Sequence, residues 1–307
     1  MIRLVTSRLQ VGYDDRLIVN NLDLAIPDGL VTTIIGPNGC GKSTLLKAMT
    51  RILPHRSGSI LLDGKSIHKE DTKLLARKMA ILPQSPESAA GLTSGELVSY
   101  GRYPYQQSFG RLSPRDYEVV DWALEATGTA EYKHRPVDSL SGGQRQRVWI
   151  AMALAQETDM IFLDEPTTYL DIAHQLEVLE LLHRLNREQR RTIVMVLHDM
   201  NQAARFADYI VAMKDGSIAK AGPAEDVVTR DVLRDVFRLD AEIGRDPWTN
   251  KPMCLAYNLY RGENRNEAHE SENKPEREPG HESKHEPEAE SQEAIPDPVR
   301  PYAGAAR

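Results

Sequence analysis

The stretch LVTTIIGPNGCGKST, Leu30–Thr44, decides the fold. Leu30–Ile35 is a short apolar, β-branched run, which predicts a buried strand. Gly36–Ser43, GPNGCGKS, fits the spacing G-x-x-x-x-G-K-[ST]. Lys42–Thr50 then predicts a helix. Strand, glycine loop and helix in that order form a phosphate cradle. The glycines turn backbone N–H groups toward an anion, Lys42 adds a point charge, Ser43 offers a hydroxyl to Mg²⁺, and the helix start adds its dipole.

Working outward, apolar strands are expected at Met160–Leu163 and Thr192–Leu197, and helices at Asp171–Glu188 and Met200–Ala207. Leu74–Leu82 leads to Pro83-Gln84. Tyr209–Lys214 and Ser217–Ala221 read as a hairpin across Asp215-Gly216. Arg3–Val11 and Asn21–Ile26 read as earlier strands. Apolar strands alternating with helices predict an α/β domain with a mainly parallel sheet, an antiparallel β edge and a helical insertion. The domain is expected over residues 1–260, with the insertion at about 85–156 and a mixed appendage at about 223–260. Residues 261–307 are rich in Glu, Pro, His, Ser and Asn and are expected to be a disordered acidic tail. Its histidines, His269, His281 and His285, read either as a weak metal trap or as part of a solvated tail.

The formal net charge of -7 gives no basic surplus, so nucleic acid is not the expected partner. The two cysteines, Cys40 and Cys254, read as free thiols. The N-terminus lacks an apolar signal core, and no run reaches the roughly 20 apolar residues of a membrane span. A soluble chain that meets the membrane through a partner is expected.

Further residues fit the cradle's chemistry. MIFLDEP, Met160–Pro166, is a strand ending in two carboxylates. Asp164 at the strand's carboxyl end suits Mg²⁺, held through water. Glu165 is expected on the opposite side, where it polarises water. His198 follows another core strand and is expected at the same edge. Gln84 orients water or Mg²⁺, or is a polar turn residue. Tyr13 stacks on adenine or packs a hairpin. Ser141 is a helix cap, and Gly142-Gly143 leave the backbone bare for an anion. A second phosphate-facing helix start makes sense if it serves another subunit's nucleotide.

Together these strings resemble the ATP-binding-cassette ATPases over about Met1–Tyr260. The resemblance assigns GPNGCGKST, Gly36, Pro37, Asn38, Gly39, Cys40, Gly41, Lys42, Ser43 and Thr44, to Walker A. It assigns Gln84 to the Q-loop, LSGGQ (through Ser141, Gly142, Gly143 and Gln144) to the signature and IFLDEP to Walker B. The D-loop falls on Leu170-Asp171, the switch histidine on His198 and the A-loop aromatic on Tyr13.

It implies a head-to-tail homodimer enclosing two ATP molecules, with Ser141 and Gly143 of one subunit reaching the phosphate held by Lys42 of the other. It implies Glu165 as general base, His198 as the group steadying the γ-phosphate, Gln84 as sensor, and Mg²⁺ on Ser43, Gln84 and Asp164. DEPTTYLDIAHQLEVLELL, Glu96–Val98 with Gly101–Pro104, and the ending around Val236-Phe237 are similar to importers of ferric siderophores, haem and cobalamin. That implies permease subunits, met around Ser85–Gly91, a solute-binding protein, and a place on the cytoplasmic face of the membrane. Ser94 departs from the valine often found there. Cassette proteins of DNA repair or translation carry coiled-coil insertions or paired cassettes; this chain has one cassette and no long heptad run.

Overall fold

The computed structural model describes residues 2–84, 89–106 and 111–261. The Ser85–Gly91 contact region lies partly outside these residues, and the acidic tail after Arg261 wholly so. Residues Met1–Arg261 make one unit.

The chain opens with β1 (Ile2–Tyr13) and β2 (Arg16–Pro27), followed by β3 (Val31–Ile35) and α1 (Lys42–Met49). Next come β4 (Ser57–Leu62), β5 (Lys65–Ser66), α2 (Thr72–Ala76) and β6 (Met79–Leu82). The helical layer holds α3 (Ser94–Ser99), a 3-10 turn at Tyr100–Tyr105, α4 (Pro114–Ala126) and α5 (Gly142–Ala155). The chain returns as β7 (Met160–Asp164), α6 (Ile172–Gln189), β8 (Thr192–Val196) and α7 (Met200–Phe206). It closes with β9 (Tyr209–Lys214), β10 (Ser217–Gly222), α8 (Ala224–Val227), α9 (Arg230–Phe237), β11 (Leu239–Arg245) and β12 (Pro252–Leu259).

The central sheet has the order β10-β9-β3-β8-β7-β6. Every pairing is parallel except β9 with β10, the expected hairpin edge. Strands β3, β7 and β8 are buried throughout, so their side chains alternate between two cores. Ile161, Leu163, Ile193 and Met195 join the core under the helical layer. Met160, Phe162, Val194 and Val196 join the core shared with α1 and the N-terminal strands.

The N-terminal strands do not extend the central sheet. With β4 and β5 they form a separate antiparallel sheet in the order β2-β1-β4-β5. Residues 57–66, for which the sequence reading has no assignment, supply its far edge. Only Ile60 and Leu62 of that segment face the core strongly, which is too short a pattern to mark a strand. The appendage ends in the two-stranded sheet β11-β12. It is held by a small cluster of Leu233, Ala241 and Cys254. Cys40 and Cys254 are both buried and free.

Among the described residues no helix is long and apolar enough to cross a membrane.

Candidate nucleotide site

Parallel register assembles the site. Ile34 lies beside Val196, Asp164 beside Val196, and Leu82 beside Leu163. Four strands therefore end at one edge and deliver the glycine loop, Asp164-Glu165, His198 and Gln84 to the same place. A cleft of about 520 Å³ opens there, lined by Tyr13, Asn38, Gly39, Gly41, Lys42, Ser43, Thr44, Gln84, Glu165 and His198. Arg16 and Ile18 line it too. The sequence reading missed both; they enter because the β1–β2 hairpin carries them beside Tyr13.

The loop conformation explains its glycines. Gly36, Gly39 and Gly41 have φ of 153°, 79° and 104°. A Cβ at Gly36 would collide with Met213 O and lie 2.8 Å from Cys40 Sγ. Gly41 caps α1 with no described side chain bonding its free N–H groups, which leaves them open to an anion. Lys42 is buried, and its Nζ donates to Gly36 O at 2.9 Å and to Pro37 O at 3.1 Å. The ammonium is thus wrapped in carbonyls at the cleft wall. Cys40 packs behind the loop, where burial pushes its thiol up despite Lys42.

Asp164 lies on the same strand face as Met160 and Phe162, the face covered by α1. Ser43 Oγ, at the start of α1, donates to Asp164 Oδ1 at 2.8 Å. Asp164 is buried, and this desolvation holds its carboxyl above the usual range although the Ser43 hydroxyl pulls it down. A hydroxyl and a carboxylate with an amide nearby make an all-oxygen donor set, which suits a hard cation such as Mg²⁺.

Glu165 reaches the cleft by another route than strand alternation. The strand ends at Asp164, and Glu165 turns into the left-handed region with φ 53°. Holding a non-glycine residue there costs about 1–3 kcal/mol and is typical of functional sites. Three donors hold its carboxylate. His198 Nε2 lies 2.6 Å from Oε1, Thr168 Oγ1 donates to Oε2 at 3.0 Å, and Gln84 Nε2 also donates to Oε2. Both Gln84 and His198 thus engage Glu165. Only the repeated threonine in DEPTT marks Thr168 in the sequence.

The second helix start lies elsewhere. Ser141, Gly142, Gly143 and Gln144 open α5 with a full capping box: Ser141 accepts from the Gln144 N–H, and Gln144 Oε1 accepts from the Ser141 N–H at 3.1 Å. Asp171 caps α6. Neither group lines the cleft; the two pack against each other through His174.

The ABC transporter family profile matches residues 19–168. The iron(3+)-hydroxamate import ATP-binding protein FhuC of Bacillus subtilis is 60% identical over 260 residues, 85% of this chain and 97% of that protein. This chain belongs to the ABC transporter ATP-binding family. It is an ATPase subunit, and it binds ATP. The petrobactin import ATP-binding protein FpuD of Bacillus anthracis is 52% identical over 87% of this ABC ATPase and 97% of its own length.

Among solved structures, a metal-chelate type ABC transporter in an inward-facing conformation is 28% identical with a TM-score of 0.72, covering 83% of this chain and 98% of that one. A dimeric ATP-binding cassette in a post-hydrolysis state with ADP and Pi is 28% identical with a TM-score of 0.63, covering 72% and 98%. Family members of this kind work as dimers with a membrane permease.

Proposed function

We propose that this ABC ATPase powers uptake of an iron(III)-siderophore complex. It would act on the cytoplasmic face of the membrane, with permease subunits and a solute-binding protein. The similarity to a hydroxamate importer over nearly that protein's whole length supports the solute class. The observation that carries the chemistry is the convergence of Lys42, Glu165, His198 and Gln84 on one cleft.

The glycine loop and Lys42 bind the ATP phosphates, and Tyr13 at the cleft rim offers a face for the adenine. Ser43, Asp164 and Gln84 would hold Mg²⁺, which neutralises phosphate charge when bound. Glu165 takes a proton from the attacking water as general base. Thr168, His198 and Gln84 hold its carboxylate in place. His198 is one hydrogen bond from Glu165 and steadies the γ-phosphate as hydrolysis proceeds. Ser141–Gly143 and Asp171 serve the nucleotide of the partner subunit. Catalysis is positioning and charge stabilisation.

Two measurements test this. Lys42→Ala is expected to weaken ATP binding about 10–100-fold, since it removes a charged donor from the phosphates; fluorescent nucleotide titration reads it, and unchanged affinity would refute the loop's role. Cells lacking the chain are expected to lose radiolabelled ferric-siderophore uptake and to regain it only with the wild-type chain. Unchanged iron uptake with lost cobalamin or haem uptake would move the solute and keep the ATPase.

A further inference from the structure

Two neighbouring residues in the first turn of α6 make contacts that the cleft chemistry does not use. His174 Nδ1 donates to Asp171 Oδ1 at 2.8 Å, and the same oxygen accepts the His174 backbone N–H at 2.9 Å. The carboxylate thereby fixes the imidazole. The ring in turn lies hard against Gly143. A Cβ at Gly143 would collide with His174 Cδ2 and fall 2.9 Å from Cγ. Arg147 and Glu177 pair at 2.9 Å further along the same two helices. One ring thus joins the D-loop aspartate to the start of α5.

Gln175 ties the loop in the other direction. Its Nε2 donates to Leu170 O at 3.0 Å and to Thr167 O at 3.3 Å. Its Oε1 accepts from Gln202 Nε2 at 2.7 Å. Gln202 sits on α7, whose cap Asp199 directly follows His198 and accepts the Gln202 N–H at 2.9 Å. An amide pair therefore bolts the His198 helix to the loop between Glu165 and Asp171. Neither His174 nor Gln175 lines the cleft.

We propose that His174 and Gln175 are positioning residues. They make the loop Thr167–Asp171 a relay between His198 of one site and the Ser141–Gly143 edge that serves the partner's nucleotide. Displacement of the His198 helix pulls Gln202, then the loop carbonyls, then Asp171 and the imidazole on Gly143. This rests on the dimeric ATPase reading above.

The test uses the full-length chain assembled with its permease and reads ATP hydrolysis against ATP concentration. Gln175→Met and Gln202→Met keep bulk and remove the amide pair. Each is expected to lower kcat about tenfold, with ATP affinity of the cleft within about twofold of wild type. The double variant is expected to lose no more than either single, because one link is broken in all three. The Hill coefficient for ATP is expected to fall from about 2 to about 1. His174→Ala should act likewise, while His174→Asn, whose amide nitrogen replaces Nδ1, should recover most of the rate.

Multiplying losses in the double variant, or wild-type kcat and Hill coefficient in the singles, would overturn the relay. An equally impaired His174→Asn would overturn the role of the Asp171 bond. A wild-type complex that hydrolyses no ATP would instead refute the function itself, a result separable from these.

Discussion

Glu165→Gln is expected to lower ATP turnover at least about 100-fold while leaving ATP binding intact. Glutamine keeps the size of the side chain and one acceptor oxygen, which can take the Thr168 and Gln84 hydrogen bonds, while its amide nitrogen faces His198 and donates to Nε2 once the imidazole carries its proton on Nδ1. It cannot take a proton at neutral pH. The nucleotide therefore binds and the dimer closes, but the attacking water is not activated. Two readouts separate the steps. Phosphate release should fall to near background, and ATP should shift the variant to a dimer on size-exclusion chromatography. The tight three-donor setting of the carboxylate makes the result specific, because a residue serving only to anchor Gln84 and His198 would tolerate the amide. Turnover within a few fold of wild type would remove Glu165 from the role of base.

Arg102→Met is the second large effect, this time on stability. Arg102 is buried in the helical layer, where its Nε donates to Asp116 Oδ1 at 2.8 Å and its Nη1 to Ala155 O and Glu157 Oε2, each at 2.7 Å. Its guanidinium also stacks over Tyr105, 4.1 Å from the ring centroid. It joins the Tyr100–Tyr105 turn to the start of α4 and the end of α5. Removing it leaves Asp116 as a buried charge without its cation. The expected loss is about 3–5 kcal/mol of unfolding free energy, measured by urea denaturation.

Burial pushes Asp116 up, but the Ser113 and Arg102 hydrogen bonds outweigh it and hold the carboxyl below its usual value. A depressed carboxyl stabilises the fold above the normal carboxylate range, and that contribution disappears as pH falls through the lowered value. Arg102→Met should therefore flatten the acid limb of the stability profile. Arg102→Met with Asp116→Asn keeps the Ser113 cap and removes the stranded charge, so it should recover part of the loss. A cost under about 1 kcal/mol for Arg102→Met would show that the network is not a support of this layer.

The cleft was largely legible because its chemistry is local. Gly36–Thr44 is a contiguous string whose spacing alone dictates an anion cradle, and LDEP places carboxylates at a strand end whatever the rest of the fold does. The uniform apolar runs of Val31–Ile35, Met160–Leu163 and Thr192–Val196 demand burial on both faces, which only a covered parallel sheet provides. Where the reading fell short, the deciding contact was non-local. Strand β4 pairs with β1 across some fifty residues of chain, a partnership with no periodic mark. Arg16 and Ile18 reach the cleft only through the β1–β2 hairpin. Glu165 takes its direction from a left-handed turn, where alternation along a strand predicted a simple reversal. His174 reads from the sequence as a surface or packing residue, and only the packing of α6 on α5 sets it against Gly143.

By itself, then, the amino-acid order determined the class of fold, the phosphate loop and the set of residues competent for phosphoryl transfer, because each rests on short-range pattern and side-chain chemistry. Only the tertiary structure decided which of them meet. The parallel register of β6, β7, β8 and β3 brings Gln84, Glu165, His198 and Lys42 to one edge, while helix packing sends Ser141–Gly143 and Asp171 together to another. The reason is physical: register and packing are set by burial of side chains far apart in the chain, and that free energy exists only once the sheet has formed.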